Sequence, residues 1–256
     1  MPFTLAHPAA ILPLRGSRYL RTVPLIIGAL IPDLPYYVPG SLARFLPDTH
    51  RFTGSFTTCL VCGYAALTGM FLLRRPLTAL LSARARALCL AAVAPFSAGL
   101  LEWLLAAPAI VLGVWTHLLW DSFTHRDGWA VHRVAVLNAP VTIGSYTGTV
   151  FHVLQYVSSG LGLGALALWY WRLRAPAAAS GELRTGRTAT GPLLMLIAAA
   201  AILIGGVQAT EYYSHTALVY GTFELLLTRS LAWFALLYLV AGTSVTLEHA
   251  HERGSS

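Results

Sequence analysis

The residues best suited to chemistry lie in WTHLLWDSFTH, where His117, Asp121 and His125 recur every four residues inside an apolar stretch. In an α-helix that spacing stacks the three side chains along one face. An ionisable row is costly against hydrocarbon, so it is expected to face protein, a water-filled cleft or a metal. Neutral imidazole nitrogen and carboxylate oxygen are ordinary ligands of zinc, and of iron or manganese in oxygen-richer sites. On a helix His117 and Asp121 lie about 6 Å apart, close enough to share one ion or flank two. His125 lies about 12 Å from His117, and it joins the same ion only if the helix bends or ends before it. Otherwise it serves a second ion or binds substrate. The competing reading is a row that caps a helix and bonds to polar groups in a bundle. Burying several titratable groups without function is expensive, which weighs against it.

Further candidates are scattered along the chain. His7 sits beside Pro8, and Asp33 lies in IPDLP. Proline fixes the local backbone and frees hydrogen-bonding groups, so an irregular turn is expected to present Asp33 to a cavity. His50 is followed by RFTGSF, where Thr53, Gly54 and Ser55 suit a helix start. Glu102 is a candidate general base or a partner of a ligand. Gln155 is a candidate substrate contact, with His152 pointing elsewhere on a regular helix. Arg126 and Arg133 suit a phosphate or anchor at headgroups. Glu211 and His215 form another four-spaced pair with a place near the site. Cys59 and Cys62 have CxxC spacing but lie in an apolar run with no second pair, so packing is expected over zinc or redox chemistry.

The elements that must position these groups belong to a membrane protein. Of the 256 residues, 56% are apolar and 11% charged, with a mean hydropathy of +0.65. A soluble domain carries about 25% charged residues, and several apolar runs here reach the roughly 20 residues that cross a bilayer. The net charge of +7 comes mostly from arginines clustered between those runs. That is a topology signal, with anionic lipid headgroups as a secondary partner and no nucleic acid implied. Pro8, Pro13, Arg15, Arg18 and Arg21 precede the first long run, so no conventional cleavable signal peptide is expected.

The expected fold is an all-α transmembrane bundle with about six crossings, at 23–39, 56–73, 87–105, 149–171, 191–210 and 229–247. The first is broken or re-entrant around Pro32, Asp33 and Pro35. A re-entrant or half-buried helix at 109–125 carries the HxxxDxxxH row. Residues 1–174 form a membrane domain with the site and 175–190 a cytoplasmic linker. Residues 191–247 form a C-terminal helix pair and 248–256 a disordered tail. Placing the basic segments 15–21, 74–86 and 172–190 inside gathers Asp33, His50, Glu102 and the 117–125 row on the outer side of the membrane.

MPFTLAHPAAILPL, GALIPDLPYY, the His50 region, GVWTHLLWDSFTHRDGW and LQYVSS at 154–159 together resemble a bacterial membrane-protein family, domain of unknown function 4184, that opens with MPFTxxHPAA. The likeness covers the first 175 residues well and the remainder mainly in hydropathy. More distantly, the chain is similar to bacterial inner-membrane proteins labelled metal-dependent hydrolases. Their pattern has an early histidine, a PD pair, a THS-like histidine segment and an HxxxD helix. The resemblance implies His7, Asp33, His50, His117 and Asp121 as metal ligands, with His125 nearby. THRFTGSF stands here in place of a doubled-histidine HRGxTHS, which implies one histidine fewer and counts against a two-metal arrangement.

The leading expectation is a metal-dependent hydrolase in the bacterial cytoplasmic membrane, with its site on the outer side. It would use Zn²⁺, or Mn²⁺ or Fe²⁺, on a lipid-like ester or phosphoester. His125 or Glu102 would move the proton, while Arg126 and Gln155 would hold substrate. The alternatives are a transporter or ion-binding protein, and a scaffold with a structural metal or polar network. Membrane lipids are the expected partners.

Overall fold

The computed structural model describes residues 4–17, 20–174 and 190–254. An irregular 3-10 segment, Thr4–Leu14, contains Pro8 and Pro13. It leads to α1 (Thr22–Leu30), a 3-10 turn Ile31–Asp33, and the short helices α2 (Leu34–Tyr37) and α3 (Gly40–Ala43). There follow α4 (Thr58–Leu72), α5 (Arg74–Ala79), α6 (Ala83–Val93) and α7 (Leu100–Thr124). A small antiparallel hairpin, β1 (Pro140–Ile143) and β2 (Tyr146–Thr149), precedes α8 (Val150–Arg172), α9 (Thr190–Thr216) and α10 (Val219–Gly254).

The fold is all-α apart from that hairpin, which the turn-rich composition of 126–149 did not announce. Among the described residues, four helices are long and apolar enough to cross a membrane: Leu100–Thr124, Val150–Arg172, Thr190–Thr216 and Gly221–Glu252. They give the chain the multi-pass helical architecture of a membrane protein.

The expected six crossings are corrected at three places. The 23–39 run is broken as its prolines suggest, and α1 has only 9 residues. The 56–73 run yields α4, whose 15 residues fall short of a span. The largest change concerns 87–125. A boundary at Pro108 is expected, yet α7 runs unbroken through it for 25 residues. Proline removes one N–H from the preceding turn, and in that turn the Tyr64 hydroxyl donates to the Trp103 carbonyl at 2.7 Å. The break falls instead at the 3-10 turn Ala94–Ser97, which contains Pro95. His117 and Asp121 therefore lie on a helix of crossing length, and not on a half-buried one, with His125 directly after its last residue. The 175–190 linker falls, up to residue 189, outside the described residues. α10 continues to Gly254, so residues 248–254 are helical where composition suggests disorder.

The core forms around α7. Val23, Ile27 and Ile31 meet Cys59 and Leu67 of α4, Val93, Phe96, and Ala106, Ile110 and Val114 of α7. A second cluster, Ile11, Leu25, Ala29 and Ala109, ties the N-terminal segment to the other side of α1. α9 and α10 pack chiefly on each other, with α10 also against α5. There Tyr238 donates to the Leu77 carbonyl at 3.1 Å.

Candidate metal centre

The buried residues of α7 are Ala106, Ala109, Ile110, Gly113, Val114, His117, Asp121 and Thr124. Their spacing of three and four traces one helical face. That face is small and apolar for three turns, then becomes ionisable. α1 crosses it at Gly28 and Gly113, where a Cβ on Gly28 would run into the Ile110 carbonyl and one on Gly113 into the Leu25 carbonyl. Only glycine permits two backbones this close. The crossing brings the Ala29 carbonyl to 2.8 Å from His117 Nδ1. Pro32 has no N–H to offer that carbonyl in the 3-10 turn that follows, which favours the imidazole as donor. With Nδ1–H donating to Ala29, the lone pair of His117 is fixed on Nε2.

The same break in α1 delivers Asp33, which is wholly buried. Its carboxylate accepts a hydrogen bond from the Thr4 hydroxyl. His50 arrives from the loop after α3. Asp48 turns that loop through a left-handed conformation, φ 60°, and the Cys59 thiol donates to the Thr49 carbonyl at 3.3 Å. Thr49 Oγ1 lies 3.3 Å from His50 Nδ1, leaving Nε2 turned inward.

Asp33, His50, His117 and Asp121 each offer one ligand atom, and the four atoms lie within 4.8 Å of one another. His50 Nε2 is 3.2 Å from Asp33 Oδ1 and 3.8 Å from Asp121 Oδ2. His117 Nε2 is 3.6 Å from Asp33 Oδ1 and 3.2 Å from Asp121 Oδ2. Bonds of about 2.0–2.1 Å in a tetrahedron separate the donors by about 3.3 Å, so these separations match the edges of a zinc-sized polyhedron. A second observation agrees. His117 Nε2 and both carboxylate oxygens of Asp121 are buried without a hydrogen-bond partner. His117 Nε2 and Asp121 Oδ2 approach to 3.2 Å without a hydrogen bond between them, whereas His50 Nε2 and Asp33 Oδ1, also 3.2 Å apart, are hydrogen-bonded. In folded proteins most buried polar atoms are satisfied, because leaving one bare costs about 1–3 kcal/mol. The buried Asp/His cluster is thus able to coordinate a divalent ion.

His7 and His125 adjoin this group on its other side. The His7 ring stacks on His117 with centroids 3.9 Å apart, and its Nε2 is 3.5 Å from Asp121 Oδ1. Burial, reinforced by neighbouring His117, lowers its pKa to about 4, so the ring is neutral near pH 7. α7 ends at Thr124, and His125 is already extended at φ −123°, ψ 144°. That departure swings its Nδ1 back to 3.0 Å from Asp121 Oδ1. The turn beyond is tight: Ala130 and Val131 N–H both donate to the Ser122 carbonyl at 3.1 Å. Gly128 sits where a Cβ would meet the Ser122 and Asp121 carbonyls. Gln155 of α8 is buried, its amide 2.9 Å from His125 Nε2. Trp120 Nε1 donates to Ser158 Oγ at 3.1 Å, holding α8 in register.

Four sequence candidates stand outside the cluster. Glu102 lies in the first turn of α7, about 22 Å along the helix from His117, and both its oxygens are engaged by the Arg21 guanidinium. The misplaced boundary at Pro108 is what made it look like a neighbour. Glu211 and His215 are exposed at the end of α9, and the metal-capable cluster includes neither. Arg126 is exposed directly after His125. The groups that sequence reasoning missed are the supports: the Ala29 carbonyl, Thr4, Thr49 and Cys59. A backbone carbonyl leaves no trace in residue type. Thr4 and Thr49, each close in sequence to a candidate histidine, were the available hint.

The sequence profile of a domain of unknown function, DUF4184, matches residues 1–245. The chain belongs to the DUF4184 family. The match extends through α9 and most of α10, past the point at which motif resemblance fades into hydropathy. No curated protein and no solved structure matches the chain.

Proposed function

We propose that this DUF4184 protein is a membrane-embedded, metal-dependent hydrolase acting on a lipid-like ester or phosphoester. The observation that carries the reading is the convergence of Asp33, His50, His117 and Asp121 with His117 Nε2 and the Asp121 oxygens left unpaired. Two carboxylates and two imidazoles suit Zn²⁺, with Mn²⁺ and Fe²⁺ as alternatives. Such an ion supplies a Lewis acid and a bound water of lowered pKa. The protein's own part is to hold the donors rigid. His117 is fixed by the Ala29 carbonyl, Asp33 by Thr4, and His50 by Thr49. His125 Nδ1 is turned against Asp121, which favours a role in binding over the proton transfer its sequence position suggested.

Access and surroundings support a lipid-like substrate. His50 is the open member, its side chain 34% exposed, against 0% for Asp33 and His117. Beside it Phe52 stacks on Trp115 at 5.3 Å and Phe56 meets the same indole at 5.9 Å, all exposed. Aromatic rings of this kind gather at the bilayer interface. The opposite end of the bundle is basic. Arg84 donates to the carbonyls of Tyr170, Trp171 and Leu173 at the end of α8, and Arg15 lies over Trp169. By the positive-inside rule that end is cytoplasmic and the site faces outward, with Glu102 on the cytoplasmic side.

The test is metal analysis of detergent-purified wild type and Asp121→Asn, followed by assays on lipid phosphates and carboxylic esters with each preparation. The expected result is metal-bound wild type that hydrolyses one of these classes, and a variant lacking both metal and activity. Wild type that takes up no divalent ion overturns the reading.

A further inference from the structure

Asp121 has two faces, and the four-residue cluster uses only one. Oδ2 is the oxygen directed at His117 and His50. Oδ1 is also buried and lacks a hydrogen bond, yet two imidazole nitrogens from other parts of the chain close on it. His125 Nδ1 stands at 3.0 Å and His7 Nε2 at 3.5 Å. These separations bracket the same donor–donor edge of about 3.3 Å that an ion with bonds near 2.0–2.1 Å requires. Asp121 Oδ1 is hydrogen-bonded to neither nitrogen, and His125 Nδ1 also lies 3.1 Å from Thr124 Oγ1.

We propose that Asp121 bridges two divalent cations, the second held by His7 Nε2, Asp121 Oδ1 and His125 Nδ1, and that the pair takes a phosphate ester in preference to a carboxylic ester. This rests on the reading of the first site given above. The Gln155 amide nitrogen is the atom 2.9 Å from His125 Nε2. With the amide assigned the other way round, its oxygen accepts Nε2–H of His125 and Nδ1 is then the ligand. His7 is buried, and its stacking on His117 holds the ring against Asp121. The substrate preference follows from charge. One divalent ion is balanced by Asp33 and Asp121, whereas two ions over the same two carboxylates leave a doubly positive centre in an apolar surround. Such a centre demands an anion. A phosphate monoester supplies the charge and oxygens to span two ions about 4 Å apart. A neutral carboxylic ester does not. Arg126, exposed beside His125, adds a further cation at the rim.

The experiment is metal stoichiometry on the purified full chain loaded with Zn²⁺, Mn²⁺ electron paramagnetic resonance on the same preparations, and calorimetric titration with inorganic phosphate. Wild type is expected to hold two ions per chain, to show a spin-coupled Mn²⁺ pair, and to bind phosphate. His125→Ala should lose one of the two ions, convert the spectrum to that of an isolated ion, and weaken phosphate binding about tenfold or more. His125→Gln serves as a second variant should the alanine form fail to fold. Asp33→Asn should lose the other ion. One ion per chain in wild type, unchanged in both His125 variants, overturns the second position and leaves the first intact. Two ions without phosphate binding overturn the substrate class. No ion in any preparation overturns the first site as well.

Discussion

The two ends of α7 carry the same kind of group and treat it in opposite ways. At the first turn Glu102 is taken by the fork of Arg21, each carboxylate oxygen meeting a guanidinium nitrogen. At the last turn Asp121 has four nitrogens around it, from His7, His50, His117 and His125, and no hydrogen bond to either oxygen. A paired carboxylate is complete in itself and ties two elements together. A buried carboxylate ringed by imidazoles, with neither oxygen hydrogen-bonded, is able to take a divalent cation. The contrast separates a structural ion pair from a metal-capable cluster on one helix.

That comparison can be broken at several points. The largest effect is expected at Asp33, where Asn keeps the shape and the Thr4 contact but removes the charge. Asp33→Asn should abolish binding at the first position, and retention of the full metal complement would dissolve the distinction drawn between the two ends. Next comes the α1–α7 crossing. Gly28→Ala forces a methyl group into the Ile110 carbonyl and should cost about 1–3 kcal/mol of stability. It should also loosen metal by moving the Ala29 carbonyl off His117. A thermal melt and a metal titration on the same sample would show the two losses together, and loss of stability alone would deny Ala29 its orienting role. Thr49→Val removes the hydroxyl beside His50 Nδ1 and is expected to weaken metal affinity about tenfold, the lower range for a group supporting a ligand. The smallest effect belongs to the opposite end. Glu102→Gln should lower the melting midpoint slightly and leave metal content as in wild type. A variant that sheds metal would place Glu102 in the site after all.

Much of this was legible in the residues. The i, i+4 spacing of His117 and Asp121 places both on one face of a helix, and IPDLP announced the break that carries Asp33. The membrane character followed from composition. The errors share one origin. Proline removes a helical hydrogen bond locally, so Pro108 suggests a boundary. A packed helix tolerates that loss, and α4 pressing against α7 keeps the two halves continuous. From the misplaced boundary came the half-buried helix, the supposed crossing at 87–105, and the placement of Glu102 beside the histidines. His125 shows the reverse case. Spacing alone put it too far along the helix, and the helix ending at Thr124 brought it back.

The sequence by itself determined that the chain is helical and apolar and that His117 and Asp121 share one helical face as a candidate ligand pair. These follow from composition and periodicity, which are properties of residue types, while the wider ligand set of His7, Asp33, His50, His117 and Asp121 is what the family resemblance implies. Only the tertiary structure decided which groups meet. The Gly28–Gly113 crossing sets how deeply α1 can approach α7, hence where the Ala29 carbonyl and Asp33 stand. The turn at Gly128 sets where His125 returns. Both depend on backbone-to-backbone distances between segments remote in sequence, and no local pattern encodes those.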